Sequence, residues 1–337
     1  MAEREAAYYT PLPDRAVICN LCPHACRLGE GRKGFCHNRT NRNGKLYADG
    51  YGKVCALHID PVEKKPLLHF HPGDSCLSVG IAGCNLACLN CQNWVISQAS
   101  PQDTACRYVT PEEFAKLALD NNCRLVAYTY TEPLTWWEYT FDCAVACRQQ
   151  GLQNILVTAG YINDAPLYAL LPYIDAANVD LKSFSDEIYH RISRAHLQPV
   201  LHTLELMRDA RIWIEITNLL IPGVNDDPKL IQKMCQWLVA NGFSSYPLHF
   251  SRFFPLYRLQ DRPPTPDETL LQAQEIAHEA GMQFVYLGNT QLPDAENTYC
   301  PQCGNLIVKR NGYHVEYALP ADGKCPHCGK LIPGVWR

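Results

Sequence analysis

The sequence predicts an α/β fold, a partial TIM-like parallel (β/α)6 barrel with a cysteine-rich segment before it and paired cysteine knuckles after it. Strand-like and helix-like segments alternate over roughly residues 76–290, the length and rhythm of such a barrel. Capping residues and glycine stops separate the segments. No G-x-G-x-x-G turn follows the first strand, so a doubly wound dinucleotide-binding sheet, the competing fold, has no support.

Each predicted strand is a short apolar run rich in branched or aromatic side chains. The predicted strands are residues 76–82, 124–130, 153–160, 174–182, 211–223, 247–253 and 283–289. The predicted helices are residues 110–122, 133–151, 164–173, 185–192, 198–210, 226–242 and 266–281. The first of these helices carries a capping box, with Thr110 as N-cap, Pro111 at the first helical position and Glu113 at the third. Gly151 and Gly242 end later helices.

The composition is that of an ordinary globular protein. The 337 residues are 47% hydrophobic and 19% charged, enough for one large domain with appendages. A net charge of −4 argues against bulk nucleic-acid binding and against a polybasic membrane surface. No apolar stretch has the length of a membrane helix, and no signal peptide opens the chain. We therefore expect a cytoplasmic protein without nucleic-acid or membrane partners, divided into a cysteine-rich lead-in (1–75), a barrel (76–292) and a C-terminal module (293–337).

Cysteine is the outlier, with eighteen residues. Eleven of them fall into three tight clusters, which in a reducing compartment are typical of metal sites rather than of disulfides. The clusters are Cys19, Cys22, Cys26 and Cys36; Cys84, Cys88 and Cys91; and Cys300, Cys303, Cys325 and Cys328. The other seven are scattered, as small buried hydrophobic residues usually are, and we assign them no role.

The middle cluster lies in the run GCNLACLNCQNW (83–94), just after the first predicted strand. In a parallel barrel the chemistry is carried by the loops that follow the strands. Three thiolates in one such loop fit a four-iron, four-sulfur cluster whose fourth iron stays open for a substrate or cofactor. The alternatives are a zinc site completed by a distant histidine, or simply buried cysteines.

A C-x3-C-x2-C run after the first strand of a βα barrel resembles the radical S-adenosylmethionine (SAM) superfamily, and the resemblance covers most of residues 76–290. It implies that the open iron is chelated by the amino and carboxylate groups of SAM. It also implies that one electron from the cluster cleaves the sulfonium bond, and that the resulting 5′-deoxyadenosyl radical takes a hydrogen atom from a substrate. The expected activity is therefore that of a radical SAM oxidoreductase.

The resemblance extends to the ends of later strands. Glu132, in TYTEP, matches the acidic residue that receives the amino group of the cofactor, with Thr131 where glycine is usual. The alternative is that Glu132 caps the helix that starts at Pro133. The run TAG, beginning at Thr158, is similar to a Thr-Asn-Gly element of pyruvate formate-lyase activating enzymes.

Asp180 and Lys182 are similar to the Asp-x-Lys pair of the same activating enzymes, which contacts the methionyl part of the cofactor, and are the expected catalytic residues. Strand alternation puts both on one side, so both can face the barrel interior. The alternative is a solvated ion pair. Arg252 lies where the activating enzymes place a cofactor-contacting histidine, and could bind the cofactor carboxylate or lie at the surface.

Two departures limit this transfer of roles. Asn90 stands where an aromatic residue often precedes the third cysteine, so adenine packing is expected from another side chain, Trp94 or Tyr130. Thr217 stands where the activating enzymes place an arginine before Pro-Gly.

The closer resemblance is to the AmmeMemoRadiSam-system radical SAM enzymes. It is carried by the N-terminal C-x2-C-x3-C-x9-C, ALHIDPVEKKPLLHFHPG, GCNLACLNCQNW, AYTYTEP, PLHFSRFFP and NTYCPQCG. The expected substrate is a small molecule or a protein side chain, and the expected reductant a flavodoxin or ferredoxin. One alternative is a glycyl-radical-enzyme activase of the pyruvate formate-lyase activating type. An alternative of another class is a non-catalytic metal-binding scaffold.

The C-terminal cluster consists of CPQCG and CPHCG with 21 residues between Cys303 and Cys325, a zinc-ribbon or rubredoxin-like pattern. We expect structural Zn²⁺ there, with iron as the alternative. The N-terminal cluster suits either zinc or an auxiliary iron–sulfur cluster. In KPLLHFHPG, His69 and His71 could reach the active-site mouth or belong to a segment packed under the barrel.

Overall fold

A nine-stranded sheet forms the centre of the computed structural model, which describes residues 3–336. Seven of its strands are parallel and run in chain order across the sheet. They are β7 (Ser75–Ile81), β9 (Leu125–Tyr128), β10 (Gln153–Thr158), β11 (Ala176–Asp180), β12 (Trp213–Leu220), β13 (Leu248–Arg252) and β14 (Val285–Gly288). The predicted partial barrel is thus confirmed, and each of the seven predicted strands corresponds to one of these parallel strands.

The other edge of the sheet is antiparallel. Strand β6 (Lys53–Pro61) pairs with β7, with Ile59 opposite Leu77, and β8 (Arg107–Tyr108) pairs with β6. The sheet therefore includes a strand from the cysteine-rich lead-in, before the first strand that the sequence predicts.

Eight helices accompany the sheet in the described residues. They are α1 (Trp94–Ser97), α2 (Pro111–Asp120), α3 (Trp137–Gln149), α4 (Asp164–Leu170), α5 (Asp186–Ser193), α6 (Leu197–Asp209), α7 (Pro228–Ala240) and α8 (Asp267–Ala280). The predicted capping box of α2 is present: Thr110 accepts a hydrogen bond from the amide of Glu113, and the Glu113 carboxylate accepts one from the amide of Thr110. None of the helices in residues 3–336 is long and apolar enough to cross a membrane.

Alternation along the strands separates an inner from an outer face. Leu77 and Val79 of β7 belong to the main core, which also contains the buried faces of the helices. Cys76 of the same strand instead packs with Leu125 and Phe70 in a smaller cluster inside the sheet. Because Phe70 comes from the segment between β6 and β7, that segment closes the barrel at the amino ends of its strands. The carboxyl ends remain available for a site.

His69 lies in this closing segment and is completely buried. Its Nδ1 donates to the carbonyl of Pro333 (2.7 Å), its Nε2 accepts from Tyr286 (2.5 Å), and its amide donates to Glu215 (2.7 Å). The segment therefore packs under the barrel, and His69 does not reach the active-site mouth.

Short antiparallel strands flank the barrel on both sides. The N-terminal ones are β1 (Tyr9–Pro11), β2 (Val17–Cys19), β3 (Arg27–Leu28), β4 (Arg39–Arg42) and β5 (Lys45–Ala48). The C-terminal sheet consists of β15 (Thr298–Tyr299), β16 (Leu306–Asn311) and β17 (His314–Tyr317). Trp336 and Ile307 of the C-terminal module share a buried cluster with Leu68 and Tyr286, so this module docks at the lower end of the barrel.

Candidate active site and metal centres

The three-cysteine loop follows β7 at the carboxyl end of the parallel strands, as the sequence predicts. Its backbone is tied to the end of α5, because the amides of Ala87 and Leu89 donate to the carbonyls of Ser193 (2.9 Å) and Ile192 (3.0 Å). It is also tied to α1 by the amide of Gly83, which donates to Ile96 (2.9 Å). These bonds fix the backbone of the loop that carries the thiols.

Each thiol of this loop has a polar neighbour. The Sγ of Cys88 lies 3.3 Å from the hydroxyl of Ser193, and that of Cys91 lies 3.1 Å from the hydroxyl of Ser97. The Sγ of Cys84 accepts a hydrogen bond from the amide of Leu86 at 3.3 Å. Hydrogen bonds to ligand sulfurs help set the reduction potential of an iron–sulfur cluster. Ser193 could not be found from the sequence, because it lies more than a hundred positions from Cys88.

The electrostatics of the loop disfavour free thiolates. Burial, with smaller contributions from Glu132, Cys88 and Cys91, raises the pKa of Cys84 well above its usual value. Burial also raises the pKa of Cys88, although Lys182 opposes this. Without a metal these thiols are therefore neutral at pH 7. A metal centre is what would hold them as thiolates.

The spacing of the three sulfurs differs from that of a single-ion site. Four sulfurs that each lie about 2.3 Å from one ion lie about 3.8 Å from each other. Within residues 3–336 only the C-terminal four cysteines gather their ligand atoms within 4.8 Å of one another. Cys84, Cys88 and Cys91 influence one another's pKa but are more widely spread. A cluster whose thiolates bind different irons requires this wider spacing.

Glu132 is buried and accepts three hydrogen bonds. Oε1 accepts from the amide of Leu134 (3.1 Å) and the hydroxyl of Thr158 (2.6 Å), and Oε2 accepts from the amide of Ala159 (2.7 Å). The first bond is the cap that the sequence offered as an alternative role. A carboxylate has about four acceptor positions, so one remains for a cofactor amino group. Burial raises the pKa of Glu132 to about 7 against the opposing effect of these bonds.

Asp180 and Lys182 form an ion pair, with Nζ 2.8 Å from Oδ2, at the end of β11. Burial works to lower the pKa of Lys182, but the charges of Asp180 and Cys88 outweigh it, so the pKa lies well above its usual value. Lys182 also acts on the pKa of Cys88 and Glu132. The structure thus brings the predicted pair and Glu132 to the cysteine loop.

Arg252 is not brought to this group. Its guanidinium pairs with Asp267, the first residue of α8, and lies 3.4 Å from the hydroxyl of Thr290. Leu248 and Phe250, which alternate with it along β13, point into the core between sheet and helices. The contacts of Arg252 are therefore those of a structural ion pair. Its cofactor role stays a prediction, and these contacts do not support it.

Thr131 is used locally, since its hydroxyl donates to the carbonyl of Ile81 (2.6 Å). The two aromatic candidates for adenine packing face different ways. Trp94 stacks on Tyr257 with ring centroids 5.1 Å apart and is 41% exposed. Tyr130 donates its hydroxyl to buried Asp60. Only Trp94 offers an exposed ring.

The C-terminal cysteines form a preorganised site. Cys300 and Cys328 have their sulfurs 3.5 Å apart, and Cys303 and Cys325 have theirs 3.7 Å apart. These distances match the roughly 3.8 Å expected around one tetrahedral ion. Hydrogen bonds from the side chain and amide of Asn305 lower the pKa of Cys303 to about 6, which favours the thiolate that a metal binds.

The two knuckles of this site repeat one backbone pattern. The amide of Gly304 donates to the carbonyl of Cys300, and that of Gly329 to the carbonyl of Cys325, each at 2.9 Å. Both glycines have a positive φ, +69° and +76°, as such tight turns require. The predicted knuckle geometry is therefore present, with a donor set that suits zinc or iron.

The N-terminal four cysteines lie together around the hairpin of β2 and β3. The amide of Cys19 donates to the carbonyl of Cys26 (3.0 Å), which holds these two at the hairpin end. Burial, with smaller contributions from neighbouring thiols of the same set, raises the pKa of Cys22 and of Cys36 to about 12. The four are thus neighbours without being gathered as tightly as the C-terminal set.

Comparisons with known proteins agree with this geometry. The model of the Radical SAM superfamily matches residues 78–234. An uncharacterized protein of Methanocaldococcus jannaschii is 45% identical over 331 residues, 98% of each chain. The pyruvate formate-lyase 1-activating enzyme of Escherichia coli is 24% identical over 153 residues, which cover 43% of this chain and 61% of that enzyme.

The chain belongs to the radical SAM superfamily. The crystal structure of SuiB from Streptococcus suis shares the fold, with a TM-score of 0.50 at 12% identity, over 68% of this chain and 52% of SuiB. The superfamily implies an iron–sulfur cluster and SAM. Cys84, Cys88 and Cys91 fit that cluster by the wide spacing of their sulfurs, and a bound cation would hold Cys84 and Cys88 as thiolates.

Proposed function

We propose that this protein is a radical SAM enzyme that holds a 4Fe–4S cluster at Cys84, Cys88 and Cys91. The cluster would reductively cleave SAM to a 5′-deoxyadenosyl radical for hydrogen abstraction. The observation that carries the proposal is the position of the three-cysteine loop, at the carboxyl end of the first parallel strand with Glu132 and Lys182 electrostatically coupled to its thiols.

The remaining site residues have roles that follow from their contacts. Ionised Glu132 would bind the amino group of SAM through its remaining acceptor position, and the three bonds it already accepts would hold its carboxylate in one orientation. Lys182 would keep its positive charge beside Cys88 and Asp180 and so favour thiolates in the loop. Asp180 would orient Lys182 through their ion pair.

The proposed substrate is a small molecule or a protein side chain, as in a cytoplasmic enzyme of the AmmeMemoRadiSam type. Glycyl-radical activation is the second candidate. It is favoured by the relatives that are named activating enzymes, such as the (2S)-3-sulfopropanediol dehydratase activating enzyme of Klebsiella oxytoca, 27% identical over 32% of this chain and 34% of that enzyme. These matches are partial, and the additional cysteine clusters favour the first candidate.

Zinc at the C-terminal knuckles would be structural, because that site packs away from the cysteine loop.

A reducing partner of the flavodoxin or ferredoxin kind is proposed to dock at a cleft of about 500 Å³ beside the cysteine loop. The cleft is lined by Gly31, Arg32, Lys33, Gly34, Phe35, His37, Ala87 and Gln98. Arg32 and Lys33 are exposed and give it a positive charge, which would attract an acidic protein surface. Ala87 belongs to the loop of the catalytic cluster, and Phe35 and His37 flank Cys36, so an electron would arrive beside both cysteine sets.

Anaerobic reconstitution followed by an assay for 5′-deoxyadenosine tests the function. The wild-type protein with a chemical reductant is expected to produce it, whereas C84A/C88A/C91A is expected to produce none. C235A, which changes a buried cysteine without an assigned role, is the control and is expected to retain the activity. A wild-type protein that binds iron but never yields 5′-deoxyadenosine would favour the metal scaffold instead. Addition of a candidate glycyl-radical protein, followed by electron paramagnetic resonance, separates the two enzyme candidates.

A further inference from the structure

The N-terminal cysteine set and the C-terminal set differ in a way that bears on their metals. The C-terminal four are within 4.8 Å of one another. Cys19, Cys22, Cys26 and Cys36 are neighbours, yet no three of their sulfurs meet that limit. In this wider spacing they resemble Cys84, Cys88 and Cys91 rather than the C-terminal cysteines. Thiolates that bind different irons of a cluster lie further apart than thiolates that share one ion.

The N-terminal set also contacts the catalytic loop directly. The ring Nε2 of His24 donates to the carbonyl of Asn85 at 2.7 Å, and Asn85 is the residue after Cys84. The Nδ2 of Asn85 donates to the carbonyl of Tyr161 at 2.7 Å. The segment between Cys22 and Cys26 is therefore hydrogen-bonded, through His24, to the backbone of the catalytic loop.

A buried guanidinium lies beside the N-terminal set. Arg39 is 1% exposed, and it pairs with Glu138 at 2.5 Å, donates to the carbonyl of Ala7 at 2.8 Å and lies 3.9 Å from the Sγ of Cys19. Charge, burial and hydrogen bonds at the sulfurs are the means by which a protein sets the potential of an iron–sulfur cluster. A zinc ion has no reduction potential for such a neighbour to set.

We propose that Cys19, Cys22, Cys26 and Cys36 bind a second iron–sulfur cluster, which passes electrons one at a time to the cluster at Cys84, Cys88 and Cys91. In each transfer a low-potential protein donor loses one electron and the second cluster gains it. The second cluster then returns to its oxidised state as the catalytic cluster is reduced by that electron. The relay rests on the proposed function, whereas the metal assignment does not.

Metal content tests the assignment without any turnover. Anaerobically reconstituted C84A/C88A/C91A is expected to keep about four irons and about one zinc per chain, with a paramagnetic signal on reduction. Adding C22S/C26S to that variant is expected to remove the iron and leave the zinc, and C106S serves as a matched control at an exposed cysteine. A C84A/C88A/C91A protein with about two zincs and no iron would overturn the assignment. This outcome does not depend on whether C22S/C26S folds.

Reduction kinetics test the relay. Reduced flavodoxin is mixed with wild-type protein or C22S/C26S under anaerobic conditions, and the absorbance of the catalytic cluster is followed. The variant is expected to be reduced several-fold more slowly by flavodoxin but equally fast by dithionite, a small reductant that needs no relay. Equal rates with both reductants would refute the relay. If the wild type shows both clusters but makes no 5′-deoxyadenosine, the proposed function fails while the metal assignment stands.

Discussion

The carbonyl oxygen of Cys36 lies so close to Gly83 that a Cβ at Gly83 would be 2.4 Å from it. Gly83 has a φ of +102° and immediately precedes Cys84. Asn38 adds to this contact, since its Nδ2 donates to the carbonyl of Ala82 at 2.6 Å. The N-terminal cysteine set and the catalytic loop are thus packed backbone against backbone, at a place that admits only glycine.

G83A is therefore expected to disturb both cysteine sets, because the added methyl group must displace the backbone at Cys36. G151A is the matched control: Gly151 also has a positive φ, +74°, but a Cβ there meets nothing within 4 Å. We expect G151A to lose about 1–2 kcal/mol of unfolding free energy through backbone strain alone, and G83A to lose more, together with iron. Denaturant unfolding and iron analysis measure both. Equal losses in the two variants with full iron content would show that the Gly83 contact does not matter.

The raised pKa of Glu132 predicts a pH-dependent affinity for SAM. Because the pKa is about 7 rather than 4.5, the carboxyl is largely neutral at pH 6 and ionised at pH 8. The ionised form attracts the cofactor amino group, so SAM affinity should rise as the pH increases through 7. E132Q should bind more weakly and lack this rise, while E187Q, at an exposed glutamate of α5, should behave like the wild type. Titrations at several pH values test this, and a wild-type affinity that is flat from pH 6 to 8 would argue against Glu132 as the ligand.

Arg252 offers a test between its observed contacts and its expected role. If its ion pair with Asp267 is structural, R252M and D267N should each lower the unfolding free energy by about 0.5–1 kcal/mol, and neither should change SAM affinity. Chemical denaturation and equilibrium binding measure the two quantities. Weaker SAM binding in R252M with normal binding in D267N would restore the cofactor role that the resemblance implies.

The C-terminal knuckles should lose their metal when one ligand is removed. C328S is expected to lose about one zinc per chain and to expose the segment after residue 297 to proteases, since the ion holds the two knuckles together. H327A changes the adjacent histidine and is expected to keep both zinc and protection. Zinc analysis and limited proteolysis compare them. Iron in place of zinc in the native protein would make this a rubredoxin-like centre.

The sequence predicts those features of the fold and of the site that depend on residues close together in the chain. The capping box at Thr110 depends on residues three apart, and the position of Cys84 follows from strand–helix alternation. The contact of His24 with Asn85 joins residues 61 positions apart and leaves no local pattern. The orientation of Arg252 could have been anticipated, because it shares the period-two face of Leu248 and Phe250, both apolar and packed outside the barrel. The prediction of a cofactor role for Arg252 rested on its position at the end of a strand and did not use that alternation.

Electron paramagnetic resonance of the reduced protein, with and without SAM, tests the central claim most directly. An open iron at Cys84, Cys88 and Cys91 predicts that adding SAM changes the signal of the cluster in the wild type and in C22S/C26S. The same addition should leave any signal of C84A/C88A/C91A unchanged. A wild-type cluster signal that SAM does not alter would contradict the account, because every proposed role of the site depends on that coordination.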